Sequence, residues 1–417
     1  MRLKRKSENE NLYYLLATVC GEQGTGDSFN GKHEPQNRRI WNAIMGQWLE
    51  SHVKPSFAKA MDVDITEFDP LTEGEFQKIS DRLKGSKFTT RDIPSKSDTH
   101  MFHVIDFRNI HFKKPLLMSK RLFPSNATFS NCIFTYNTSF ASSLFRSAHF
   151  LQCTFERSAY FQEAKFGNFG SIANACEFKD CQFMGHADFS RGQLRNADFT
   201  KSNFEASAHF EDTFFYLGCP KFFESQLPEN TIFPLKQENW GLPFTRLDRA
   251  GNMNEFTEEE IHRESIKYAV LRKRMEAIQR PIDASFFVRK ELALRSQLKG
   301  WGSLLVRAYD VFSGYGNSIH KPLSWIFITI AFGAAAYSGY FLQLESQTAQ
   351  VASPFFSGLG LSLSATFSFL SLGRLFFEDV LRELPAVLAL IYGLQAFSGF
   401  LFSFLFGLGV RSQLRLK

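Results

Sequence analysis

The sequence predicts a multidomain chain. A small α-helical domain spans 1–95, a square β-coil 96–223, an α-helical connector 224–321 and an apolar two-helix domain 322–417. Three observations carry this reading. There are 48 Phe against 5 Trp and 11 Tyr, with nineteen Phe between 129 and 223 and fourteen after 323. The first of these groups repeats every five or six residues. Two stretches, 322–344 and 384–410, carry no charge, and each is long enough to cross a hydrocarbon core of about 30 Å. A hydrophobic share of 44% with 22% charged residues excludes both a disordered chain and a uniformly apolar transporter. Six cysteines in 417 residues exclude a disulfide scaffold.

The N-terminus, Met-Arg-Leu-Lys-Arg-Lys, leads into an apolar run from Leu12 to Cys20 that imitates a signal peptide. The run is short, holds Tyr13 and Tyr14, follows Glu8 and Glu10, and has Val19 where cleavage needs a small residue. It is read as a solvated basic start followed by the first core element. Pro35 to Glu50 has helical spacing, with Ile40, Ile44 and Trp48 on one face. Thr72 and Glu75 form a capping box that opens a helix with Phe76, Ile79 and Leu83 turned inward. The glycine-rich Gly21–Gly26 lacks the Lys-Ser/Thr pair of a phosphate-binding loop and reads as a turn.

The repeat places large residues at Phe129, Phe134, Phe140, Phe145, Phe150, Phe155, Phe161, Phe166, Ile172, Phe178, Phe183, Phe189, Leu194, Phe199, Phe204, Phe210 and Phe215. Two positions before each stands a small residue, from Ala127 through Gly170 to Thr213. A period of five fits neither the 3.6 of a helix nor the 2.0 of a flat strand. It fits a coil in which five residues make one side, one large and one small side chain pointing in. Four sides close a turn of about 20 residues, and turns stack at about 4.8 Å. Phe102, Phe107 and Phe112 keep the step, so an imperfect first turn is expected there, interrupted at Lys113–Arg121.

Ala187-Asp-Phe-Ser-Arg and Ala197-Asp-Phe-Thr-Lys make this stretch resemble the pentapeptide-repeat family. The resemblance implies a right-handed quadrilateral β-helix. Phe fills the large position where the family more often uses Leu. Counting sides puts Cys132, Cys153 and Cys176 in one vertical column, each in the small inward slot where Cys acts as a small hydrophobe. No metal site is expected from them, nor from His100 and His103, which lack a Cys or carboxylate pair. His149 and His209 should face solvent. Some members of the family are acidic mimics of DNA. Residues 101–223 hold 13 Lys/Arg against 10 Asp/Glu, a net of +3, which excludes mimicry, and no nucleic-acid partner is expected.

In the connector, Thr257 and Glu260 cap a long helix with Ile261, Tyr268, Leu271, Met275 and Ile278 on its apolar face, broken at Pro281. A second helix should carry Phe287, Leu294, Leu298, Trp301 and Leu305 on one side. The two uncharged stretches then read as membrane spans. Six Lys/Arg lie between 289 and 321, and Arg411, Arg415 and Lys417 follow the second span. The intervening 345–383 has Arg374 and Arg382 against Glu345, Glu378, Asp379 and Glu383. The positive-inside rule puts both termini in the cytoplasm. The Ser- and Gly-rich stretch Pro354–Gly373 then becomes a re-entrant or interfacial segment.

This plan resembles two-crossing channel subunits, without their Thr-Val-Gly-Tyr-Gly filter. Together with the run Tyr309-Asp-Val-Phe-Ser-Gly-Tyr-Gly-Asn-Ser, it also resembles bacterial membrane proteins with cytosolic pentapeptide repeats. Thr366, Gln395 and Ser398 are the candidate pore or helix-contact residues. No hydrolase, metalloprotease, zinc-pair or dinucleotide motif occurs, so neither a catalytic residue nor a cofactor is expected. The expected role is a non-enzymatic scaffold or sensor in the cytoplasmic (inner) membrane. Lipids, a second copy and a cytosolic protein on the coil surface are its partners. The alternative is a homo-oligomeric ion or solute channel gated by the coil.

Overall fold

The computed structural model describes residues 5–25, 28–29, 31–95, 104–167, 176–241, 246–247, 253–254, 257–348 and 353–415. The chain folds as two compact units, Met1–Glu291 and Leu292–Lys417.

The centre of the first unit is a parallel β-solenoid of about five turns over residues 105–216. Its strands pair turn upon turn in four columns. Ala127, Ala148, Cys176 and Ala197 lie in register in one. Phe112, Phe134, Phe155, Phe183 and Phe204 follow in the next. Leu116, Thr138, Ala159, Ala187 and Ala208 form the third. Phe123, Phe145, Phe166, Leu194 and Phe215 form the fourth. The strand spacing stacks the rings. Phe107, Phe129, Phe150 and Phe178 lie nearly parallel at 4.5–4.7 Å between centroids, and Phe112, Phe134, Phe155, Phe183 and Phe204 at 4.6–4.8 Å. Rings of neighbouring columns meet edge to face, as Phe150 and Phe161 do at 5.5 Å. All sixteen repeat-core residues other than Ile172 are buried.

Three expectations change. Ile172 and Gly170 lie outside the described residues, and the register passes over them: Phe150 pairs with Phe178 and Phe166 with Leu194. The columns of the described strands leave no place for a further side between Phe166 and Phe178. Removing that false side moves the cysteines. The column contains Cys132, Cys153 and Cys181, each preceding a strand of one ladder, while Cys176 pairs with Ala148 and Ala197 in the adjacent column. Finally, Lys113–Arg121 does not interrupt the first turn. Leu116 and Met118 are buried there and complete it with aliphatic side chains. Phe102, His100 and His103 lie outside the described residues.

Each end of the solenoid is covered. At the first turn, α1 (Leu12–Ala17) and α2 (Glu34–Gly46) set Tyr13 on Phe107, Tyr14 on Phe112 and Trp41 on Phe123. The free backbone edges of that turn are met side by side. Asn11 donates to the Asp106 carbonyl at 2.7 Å, and Lys6 pairs with Ile110 as a parallel strand. Gln23 accepts from the Leu117 amide at 2.7 Å. Asn42 accepts from Leu122 N at 3.0 Å, and the Trp41 indole donates to Leu122 O at 2.8 Å. Arg121, fully buried, makes a two-pronged ion pair with Glu34 at 2.9 and 3.0 Å. α3 (Lys54–Met61) and α4 (Glu73–Leu83) complete this part. The capping box at Thr72 forms and Ile79 and Leu83 are buried, but Phe76 is 47% exposed. α2 ends at Gly46, where a side chain would strike Phe68, so Trp48 lies beyond it.

At the last turn, Lys221, Gln226, Ile232 and Trp240 each bridge to the strand beneath, forming an irregular further turn. α5 (Glu258–Ala277) and α6 (Pro281–Arg295) follow. Tyr268, Phe286 and Phe287 close on Trp240 at 5.8, 5.8 and 5.4 Å, and Glu264 accepts from Cys219 N at 3.0 Å.

The second unit holds α7 (Trp301–Ser313), α8 (His320–Thr348), α9 (Pro354–Thr366), α10 (Leu372–Phe376), α11 (Glu378–Glu383) and α12 (Ala386–Arg415). The single expected helix through Leu298 ends at Arg295, and a new one starts after Gly300, whose φ of 115° suits glycine alone. Phe287 is buried whereas Trp301 is 85% exposed, so they do not share a face. α8 and α12 are long and apolar enough to span a membrane. At 13 residues, α9 extends about 20 Å and does not reach across.

Candidate functional site

The apolar unit encloses one polar cluster. α8, α9 and α12 approach closely because Gly333, Gly358 and Gly399 leave no room for a side chain. A Cβ at these positions would strike Gln395 and Ser362, Ser338, and the Thr366 carbonyl respectively. Gln395 of α12 stands at their junction. Its Nε2 donates to Ser362 Oγ at 2.6 Å, Thr366 Oγ1 at 2.9 Å and the Thr329 carbonyl at 3.2 Å, and its Oε1 accepts from the Tyr337 hydroxyl at 3.1 Å. The amide orientation is fixed by its neighbours. Ser362 and Thr366 already donate to the carbonyls of Ile330 and Ser362, so towards Gln395 they can only accept. Tyr337, Ser362 and Thr366 are fully buried.

Of the three residues singled out from sequence, Thr366 and Gln395 therefore meet as helix contacts. Ser398 does not join them. It lines an apolar groove of about 400 Å³ beside Gln395, with Phe312, Trp325, Phe332 and Phe402. Sequence reasoning singled out neither Ser362 nor Tyr337. The available signal was Gln395 itself, since an amide in an uncharged stretch of 27 residues needs a donor and acceptors from facing helices.

On the solenoid, the small inward positions carry a second regularity. Cys132, Cys153 and Cys181 donate their thiols to the carbonyls of Phe107, Phe129 and Phe150 one turn below, at 2.8, 2.9 and 3.2 Å. Ser202 and Ser225 continue the series towards Phe178 and Phe199. Burial pushes the Cys132 and Cys153 thiols well above their usual range, so they stay protonated donors. Among the described residues no group of three or more His, Cys, Asp or Glu is placed to hold a metal ion.

The outer wall carries a run of polar and charged pairs. His149 meets Glu177 at 2.8 Å; Lys179 reaches Glu177 at 2.7 Å and Asp198 at 3.4 Å; Lys221 reaches Asp198 at 3.1 Å. His149 is thus paired across turns and not simply solvated. On another wall His186 meets Ser207 Oγ at 2.5 Å, while its second nitrogen is 3.9 Å from Asp188, too far to complete a nucleophilic triad. Partial burial and the facing His186 push His209 below its usual range. Compared with known proteins, the chain matches no family model, no curated protein and no solved structure.

Proposed function

We propose that this chain is a non-enzymatic membrane-anchored scaffold. Its solenoid is a right-handed quadrilateral β-helix of the pentapeptide-repeat kind, held in the cytoplasm of a bacterial cell. α8 and α12 are the two crossings, and both termini face the cytoplasm. The four stacked columns, each five or six residues from the next, support the square cross-section. The side walls of the coil serve as the binding surface for a cytosolic protein.

One observation carries the membrane reading. The second unit is inside out relative to a water-soluble protein. Phe327, Phe332, Phe397, Phe400 and Phe404 are exposed on α8 and α12, while Gln395, Ser362 and Thr366 are buried. α9 is the re-entrant segment. Gly358 abuts Ser338, Ser362 bonds Ile330, Thr366 abuts Gly399, and the chain then returns so that Gly373 meets Tyr392. Its backbone is enclosed by α8 and α12, the condition for non-spanning backbone at membrane depth.

Gln395, Tyr337, Ser362 and Thr366 are engaged in joining helices, which favours an anchor over a conduction path along one chain. The test is solute flux into proteoliposomes containing the full-length protein, beside protein lacking residues 345–383. The scaffold reading expects no flux from either. Flux that disappears with the deletion makes the protein a homo-oligomeric channel regulated by the coil.

A further inference from the structure

α7 is amphipathic, and among the described residues its apolar face is packed within its unit only at the C-terminal end. At 100° per residue, Trp301, Leu304, Leu305, Ala308, Val311 and Phe312 fall on one arc, with Ser303, Arg307 and Asp310 opposite. Phe312, at the C-terminal end, packs on Trp325 and Phe402 at 5.3 Å each. Lys321 holds Asp310 at 3.1 Å, which fixes this end of α7 to the start of α8. The rest of the arc is open: Trp301 is 85% and Leu305 72% exposed. A large exposed Trp and Leu on a helix fastened to an apolar span has the pattern of a helix lying in a membrane interface.

Charge identifies the surface it meets. The same end of the α8–α12 pair carries Arg307, Lys321 and Arg411 against Asp310. Arg411 belongs there because its neighbour Ser412 bonds Asn317, just before α8, at 3.0 Å. The opposite end carries Glu378, Asp379 and Glu383 against Arg374 and Arg382. We propose that α7 lies in the plane of the cytoplasmic leaflet, its Trp301–Leu305 face among the upper acyl chains and its basic surroundings on anionic headgroups. This rests on the reading of α8 and α12 as crossings. An in-plane helix of this kind seats its apolar face about 5–10 Å into the boundary between headgroups and chains.

The test uses full-length protein in vesicles of phosphatidylcholine and phosphatidylglycerol brominated near the headgroup end of the acyl chains. Tryptophan emission is compared between the wild type and Trp301→Phe, and retention in the membrane is checked by alkaline carbonate extraction. The wild type is expected to lose more emission than the variant. Leu305→Asp should cut that difference by about half or more, with retention unchanged. The difference should also shrink in phosphatidylcholine alone. Equal quenching of wild type and Trp301→Phe in carbonate-resistant protein overturns the placement of α7 while leaving the crossings intact. Equal Trp301 quenching with and without phosphatidylglycerol overturns the anionic preference. Extraction of the protein by carbonate overturns the crossings and this placement with them.

Discussion

Gln395 of α12 donates to Ser362 of α9 at 2.6 Å in the middle of an otherwise apolar unit. That bond and its companions to Tyr337 and Thr366 tie three helices together, and on the membrane reading proposed above they supply what apolar contact in lipid does not.

Gln395→Leu removes the tie and leaves the Tyr337 hydroxyl without its acceptor. Hydrogen bonds between membrane helices contribute about 0.6–2 kcal/mol each, so a loss of about 1–3 kcal/mol is expected, read as a lower unfolding midpoint in detergent. Gly399→Leu should be worse, since its side chain must displace the Thr366 backbone.

Phe150 is stacked between Phe129 and Phe178 and edged by Phe140 and Phe161. Phe150→Ala should cost about 3–5 kcal/mol through the cavity it leaves. Phe189→Asp places a charge among buried rings and should unfold the coil, seen as lost protease resistance. A coil that stays protease-resistant with Phe189→Asp would overturn the inward placement of this residue and the register that sets it.

That register shows how far the sequence reaches. The alternation of small and large residues named nearly every inward position because it is enforced by stacking, which admits little else at each side. It failed between Phe166 and Phe178, where the chain is longer than one side and the column order has no place for another, and that single miscount misplaced Cys176. It failed again at Leu116 and Met118, which fill a small and a large inward position without looking like the repeat. The end covers were illegible for a different reason. Trp41, Gln23 and Asn42 act on backbone groups roughly eighty to ninety residues away, and no local period marks them. In the apolar unit, length and charge identified α8 and α12, and Gln395 drew notice as an isolated amide. Its partner Tyr337 carried no comparable mark.

The cysteines make stability depend on alkaline pH. Burial pushes the thiols of Cys132, Cys153, Cys176 and Cys219 well above their ordinary 9.0. An unfolded chain releases these protons near pH 9 and the folded one does not. The stabilisation is therefore complete below pH 9 and lost as pH rises beyond it. Cys153→Ser should keep the bond to Phe129, as Ser225 does to Phe199, and reduce the alkaline loss. Cys153→Ala should cost about 1 kcal/mol at neutral pH. Denaturation midpoints across the alkaline range decide both.

Glu34→Ala strands the guanidinium of Arg121, which is fully buried. Removing one partner of a buried pair costs about 3–5 kcal/mol, and the loss should appear first as exposure of Trp41 at the covered end. The double variant Glu34→Leu with Arg121→Met should recover most of it, measured by the same tryptophan emission.

The covers at both ends of the solenoid fix more than its stability. A parallel coil with bare ends is a template, because each terminal turn offers the edge that another copy could extend, and such stacks grow into fibres. Asn11, Gln23 and Asn42 occupy one edge, and the irregular turn beneath Trp240 occupies the other. Elongation is shut off in both directions. The coil is a post of set height, which another copy cannot lengthen by pairing strands with its ends.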